Sequence, residues 1–229
     1  VVDNIEIQIP AVILALLLGI ALGNVLTVPN SARPGIKFSR GILLRLGIVL
    51  IGIRLAIGDV FKLGLMGLPI IIGCVGTALL VTYFLSNKLD QPRRLGSLIA
   101  VGTSICGISA ILATSTAIEA TEEETAYAIA VITFFGLIAV LTYPILGYVL
   151  FNGDPTKAGL WMGTSIQDTS QVIGAALIYS QVWDSPIALD IASLTKVIRN
   201  VFMVIVIPLI AIAYSRGLRK GSKISLKDQ

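Results

Sequence analysis

Long apolar runs alternate with short polar stretches along the chain, and the runs predict seven helical segments. Residues 9–26 carry no charge and read as a plain span. Residues 41–58 are apolar apart from Arg45 and Arg54, and residues 63–86 run unbroken through Pro69, Gly67, Gly73 and Gly76, a composition that transmembrane helices accept. Residues 126–150 and 187–214 are again rich in Leu, Ile, Val and Phe, with Pro144 in the first and Lys196, Arg199 and Pro208 in the second. Two segments differ. Residues 94–118 and 157–180 have polar centres, GTSICGISA and GTSIQDTSQ, where glycines, hydroxyls, a thiol, an amide and a carboxylate interrupt the apolar pattern. The polar stretch from Val28 to Arg40 reads as a loop, and residues 215–229 as a solvated tail.

Several runs reach the roughly 18 to 20 residues that a helix needs to cross a hydrocarbon core of about 30 Å. The predicted fold is therefore all-α: a polytopic transmembrane helical bundle, one transporter domain over residues 1–229, with the two polar-centred segments discontinuous, either broken or re-entrant. Composition agrees, since 55% of the 229 residues are hydrophobic, 13% are charged and mean hydropathy is +0.92, against roughly 25% charged in soluble domains. The chain opens on Val1 rather than Met, with Asp3 and Glu6 before its first apolar run. That start argues against an intact signal peptide and for missing N-terminal sequence. Basic residues concentrate in the tail, in the stretch holding Arg33, Lys37 and Arg40, and in the loop holding Lys88, Arg93 and Arg94. The positive-inside rule assigns all three to the cytoplasm of a bacterial inner membrane, and the loop around Asp184 and Asp190 to the outside. The cluster Glu119 to Glu124 lies outside if both interrupted segments cross, and inside if both re-enter.

The interrupted segments resemble each other. Gly102 to Ser109 aligns without gaps on Gly163 to Ser170, with five identities in eight positions at an offset of 61, and Pro144 matches Pro208 at an offset of 64. The unit that repeats is an interrupted segment followed by a whole one. Small residues at such places let helices pack closely, and hydroxyls bond across the contact. Alternatively the glycines let the backbone leave helical geometry, which is tolerated at membrane depth only beside protein or a water-filled cavity. Matching interrupted segments in two halves point to a secondary-transporter site near the bilayer midplane.

Charge at depth sharpens the choice. Lys196 and Arg199 lie three residues apart on one helix face beside Asn200, and, with Asp190 counted with the loop at the start of 187–214, Asp168 is the single acid within an apolar segment. Ionisable groups inside a membrane face the bundle interior and are paired or functional. Either Asp168 pairs with Lys196 or Arg199 to lock two segments, or a cationic pocket remains that favours an anion. Half-helix N-termini aimed at the same place would add unpaired N–H donors and partial positive charge. The candidate substrate-binding residues are Gly102, Thr103, Ser104, Cys106, Gly107, Ser109, Gly163, Thr164, Ser165, Gln167, Asp168, Thr169 and Ser170, with Lys196 and Arg199 as counter-charge. Cys106 in a water-lined break would be reactive, and Cys74 reads as packing.

GTSICGISAI, GTSIQDTSQVIGAA, LTKVIRN and LLRLGIVLIGIRL together resemble the YeiH-type family of bacterial membrane proteins, labelled sulfate exporters. The resemblance runs from residue 9 to residue 214. It implies kinship with the cation-proton antiporter and anion transporter superfamily, whose inverted repeats carry broken helices that cross near the substrate. It also implies a histidine where this chain has Gln167, and about three further spans beyond the basic tail.

The expected activity is secondary transport of a small inorganic anion, a sulfate- or sulfite-like oxyanion, by alternating access. The alternative is Na+- or proton-coupled transport of organic anions or bicarbonate. Ranked below these are an anion channel and an intramembrane enzyme. Catalysis is disfavoured, with no catalytic residue, metal or cofactor expected, because the chain has no histidine, no pair of intramembrane carboxylates and no nucleotide loop. The expected partners are the anion, a coupling H+ or Na+ and the lipid bilayer. Nucleic acid is excluded because the basic tail is short, lacks aromatics and is explained by topology. A homodimer is compatible with this architecture, though no residue specifies one.

Overall fold

A computed structural model describes residues 11–25, 29, 31–43, 46–47, 50, 57–212 and 214. Arg45 and Arg54, the acidic N-terminus and the basic tail lie outside the described residues. Every regular element among those described is helical: α1 (Ala11–Val25), α2 (Arg33–Phe38) followed by one π-helical turn (Ser39–Leu43), α3 (Ile57–Lys88), α4 (Arg93–Ser104), α5 (Ile108–Ala117), α6 (Glu122–Leu150), α7 (Pro155–Ser165), α8 (Thr169–Val182) and α9 (Pro186–Val201). After a turn at Phe202, whose N–H donates to Arg199 O, helix resumes over 203–212. Gly67–Lys88, Glu122–Leu150 and Pro186–Ile212 are each long and apolar enough to cross a membrane.

Local chemistry sets the ends. Thr121 and Glu124 form a reciprocal capping box, Thr121 Oγ1 accepting from Glu124 N and Glu124 Oε2 from Thr121 N, so α6 starts four residues before the apolar run at 126. Glu122, Glu123 and Glu124 fill its first turn, where the helix dipole favours negative charge. Asp154 caps α7 by accepting from the N–H groups of Thr156 and Lys157, ahead of Pro155. Asp168 caps α8 in the same manner. Where the sequence reads as a loop before Arg40, Pro34 occupies the first turn of the short helix α2, the one place where its missing N–H costs nothing.

The chain reverses between α4 and α5. In a continuous helix Gly102 and Ile111 would stand about 13 Å apart along the axis. Here a Cβ at Gly102 would meet Ile111 Cδ1 at 2.8 Å. Leu95 and Leu98 of α4 share one core cluster with Ile111 and Ile118, and with Ala128 and Ile132 of α6. The chain reverses again between α7 and α8. Ala158 and Trp161 near the start of α7 pack on Gly147 of α6, while Trp183, just past the end of α8, stacks on Tyr148 with ring centroids 4.5 Å apart. A straight helix would put Ala158 and Trp183 almost 40 Å apart.

The two helical hairpins are joined by α9. Near its start Ala188 O comes within 2.6 Å of a Cβ placed on Gly159, and one turn on Ala192 O and Thr195 Cβ lie 2.9 and 2.7 Å from one on Gly163. Gly159 and Gly163 are thus a small-xxx-small pair that lets α7 and α9 touch backbone to backbone. Farther along, Val206 joins Ile71 and Val75 of α3 and Val101 and Ile105 in a second core. Beyond it, Tyr214 Oη accepts a hydrogen bond from Arg94 Nε at 3.1 Å, at the open end of the α4–α5 hairpin. The long helices α6 and α9 therefore run antiparallel past both hairpins, whose open ends lie at opposite ends of the bundle and whose tips meet between them.

Candidate functional site

The two tips, residues 105–107 and 166–168, touch. Gly107 has φ +62, and a Cβ there would lie 3.4 Å from Asp168 N, 3.5 Å from Asp168 Cα and 3.3 Å from Ile132 Cγ2. A left-handed φ and main chain at contact distance call for glycine.

Lys196 and Arg199 reach this crossing from α9, with relative exposures of 0% and 1%. All three Lys196 protons are committed, to Ile105 O and Ile166 O at 3.1 Å each and to Gln167 O. Arg199 Nε donates to Ile105 O at 2.6 Å, and Nη1 donates to Gly163 O and Thr164 O. Every acceptor is a main-chain carbonyl at the C-terminal end of α4 or α7. Such carbonyls lack intrahelical partners and carry the negative pole of the helix dipole, so buried cations both satisfy and neutralise them. One donor remains: Arg199 Nη2 is buried with no hydrogen-bond partner.

Asp168 does not pair with either cation. Its carboxylate turns back on its own helix and accepts from Ser170 N at 2.9 Å and from Ser170 Oγ. The ion pair found among the described residues is Lys157–Asp154, at 3.1 Å. The crossing thus holds two cations against one carboxylate spent on a cap, an excess of positive charge.

Not every polar residue of the two stretches points at a ligand. Ser104 Oγ donates to Val101 O, Thr164 Oγ1 to Leu160 O and Trp161 O, and Ser165 Oγ to Trp161 O. These hydroxyls spend their protons on the preceding turn of their own helix. Gly102 and Gly163 serve close packing. Thr169 Oγ1 accepts from Asn200 Nδ2 at 3.4 Å. Gln167 and Thr103 are half-buried, Ser109 is exposed, and Cys106 is buried with its thiol 3.7 Å from Met203 Sδ. Cys74 is exposed on α3 rather than packed inside. Gln171 is a participant absent from the candidate residues: its Nε2 donates to Thr133 O of α6 at 3.2 Å, and its amide lies over Gly136. Its place at the end of the polar run GTSIQDTSQ, four residues after Gln167, is the one signal it gives. No group of three or more metal-ligating side chains is present among the described residues.

The sequence matches a family described as conserved hypothetical protein 698 over residues 2–227. It is 34% identical over 217 residues to the UPF0324 membrane protein of Streptococcus pneumoniae TIGR4, covering 95% of this chain and 64% of that protein. The UPF0324 membrane protein of Fusobacterium nucleatum is 33% identical over 214 residues, 91% of this chain and 62% of its own length. That of Nitratidesulfovibrio vulgaris is 34% identical over 202 residues, 88% and 55% respectively. The chain spans less than two thirds of the length of these relatives. No solved structure matches it. Their names agree with the three helices among the described residues that are long and apolar enough to cross a membrane in giving a membrane location, and the chain belongs to the UPF0324 membrane protein family, described as conserved hypothetical protein 698.

Proposed function

We propose that this chain forms the substrate-crossing region of a secondary transporter for a small inorganic anion of the sulfate or sulfite kind, working by alternating access in the bacterial inner membrane. The supporting observation is the crossing itself: two hairpin tips in contact at depth, held by Lys196 and Arg199, with Arg199 Nη2 unpaired and positive charge in excess. A desolvated cation with a spare donor lowers the energy of an anion beside it. The N-termini of α5 and α8, which begin at the same two tips, add partial positive charge. In this reading both hairpins are re-entrant, each with its following long helix forms one unit of an inverted repeat, and the basic tail is cytoplasmic. No residue acts as a catalyst.

A second reading couples organic-anion or bicarbonate movement to H+ or Na+. It draws on Asp168, a carboxylate at the crossing without a cationic partner.

The test is counterflow in proteoliposomes loaded with unlabelled sulfate or sulfite and offered the labelled ion. Exchange that saturates, and that falls at least tenfold in Arg199→Met while the protein stays monodisperse, is the expected result. Unchanged exchange in that variant would overturn the anion site, and non-saturating conductance would replace the carrier with a channel.

A further inference from the structure

Polar atoms without partners do not stop at the crossing. On α9, Asp190 Oδ1, Ser193 Oγ and Asn200 Oδ1 are all buried with no hydrogen-bond partner, and Ser193 is only 6% exposed. At about 100° per residue Ser193 and Asn200 lie within about 20° of each other around the helix, and Asp190 within about 60° of Ser193. The three form one stripe. At about 1.5 Å per residue it is about 15 Å long, half of a hydrocarbon core of about 30 Å. It starts at the Asp184 end of the bundle and stops at the tips, where the Asn200 amide donates to Thr169. On α8, which packs along α9, Tyr179 Oη is a fourth buried atom of this kind.

Unpaired buried polar groups each cost about 1–3 kcal/mol unless water reaches them. Four such atoms gathered on two neighbouring helices call for a shared explanation, and water reaching them is the simplest. The corresponding helix of the other half is different: at the offset of 64 that aligns Pro144 with Pro208, the stripe falls on Ala126, Ile129 and Gly136 of α6. On the long helices, polar lining therefore leads to the crossing from the Asp184 end, while toward the other end one buried unpaired hydroxyl, Thr114 Oγ1, stands on α5.

We infer that Asp190, Ser193 and Asn200 line a hydrated path between α8 and α9, along which water and small hydrophilic ions pass between the Asp184 end and the hairpin crossing. The path requires no particular transported solute.

Single cysteines placed at Ser193, Asn200 and Ala192, in a Cys74→Ser, Cys106→Ser background reconstituted in vesicles, test it with a charged, membrane-impermeant methanethiosulfonate. Ala192 is the control, at the same depth and fully buried against α7. Expected is modification of Ser193→Cys about tenfold or more faster than Ala192→Cys, from the Asp184 side only, with Asn200→Cys also modified from that side. Equal rates at Ser193 and Ala192, or labelling from the opposite side, would overturn the path. If Ser193→Cys does not reconstitute, Asn200→Cys against Ala192→Cys decides by the same criterion. Labelling needs no transport, so this result and the counterflow result stand or fall separately.

Discussion

Gly107 shows how much one position carries at the tips. Its φ of +62, with Asp168 main chain and Ile132 at van der Waals distance, leaves Gly107→Ala strained by about 1–3 kcal/mol. Gly73, with open space where its Cβ would be, is the comparison: Gly73→Ala should be neutral or gain up to about 1 kcal/mol. Thermal melting in detergent of the two variants checks the difference. Asp154 offers a second test. The Lys157 backbone N–H, then the Lys157 ammonium and the Thr156 N–H, hold its carboxyl below the usual aspartate value. A folded value below the unfolded one stabilises α7 above the unfolded value, and that contribution disappears as pH falls through the folded one. Melting temperature should therefore drop on acidification below about pH 4 less steeply in Asp154→Asn than in the parent protein. Lys196 and Arg199 are visible in the sequence as charges in an apolar run. Their partners are not, because main-chain carbonyls have no letter, and the side-chain partner that the letters offer, Asp168, is spent on its own helix.

Among the elements, the hairpins carry the architecture. The tips fall within the two GTSI stretches, where Gly, Ser and Thr replace the apolar pattern. Reversal at those tips was not legible, since hydrophobic periodicity is the same for a helix that continues and one that folds back. It rests on contacts such as Gly102 with Ile111 and Trp183 with Tyr148. Segment ends at 122 and 155 depended on caps lying outside the apolar runs. Gln171 and Gly136 couple the second hairpin to α6. A Cβ on Gly136 would sit 1.9 Å from Gln171 Oε1, so Gly136→Ala must push the amide off Thr133 O. That should cost about 1 kcal/mol, the worth of a hydrogen bond, and the cost should vanish in a Gln171→Ala background. A double-mutant melting cycle measures it, and additive effects would deny the contact.

For the whole molecule, folding back changes which loops share a side. The Arg94 to Tyr214 hydrogen bond and the shared cluster of Leu95 with Ile118 and Ala120 put the Lys88 to Arg94 loop and the Glu119 to Glu124 turn at one end. Cysteines at Gln91 and Glu123 should both be labelled by an impermeant maleimide from the same face of the membrane, and a cysteine at Asp184 from the other. Opposite labelling of Gln91 and Glu123 would mean that the first interrupted segment crosses. The membrane class was legible from charge scarcity alone, whereas the pairing of ends needed coordinates.

The cations that hold the tips do so unequally. Lys196 and Arg199 grip the α7–α8 hairpin through four carbonyls, those of Gly163, Thr164, Ile166 and Gln167, but the α4–α5 hairpin through the Ile105 oxygen alone. With the backbone contact at Gly159 and Gly163 added, α7, α8 and α9 form one body. The hydrogen bonds from the two cations to the α4–α5 hairpin thus converge on a single atom. Moving the α4–α5 tip away from the cations would release that one acceptor and leave the other four in place, so of the two tips the first is the one held more loosely.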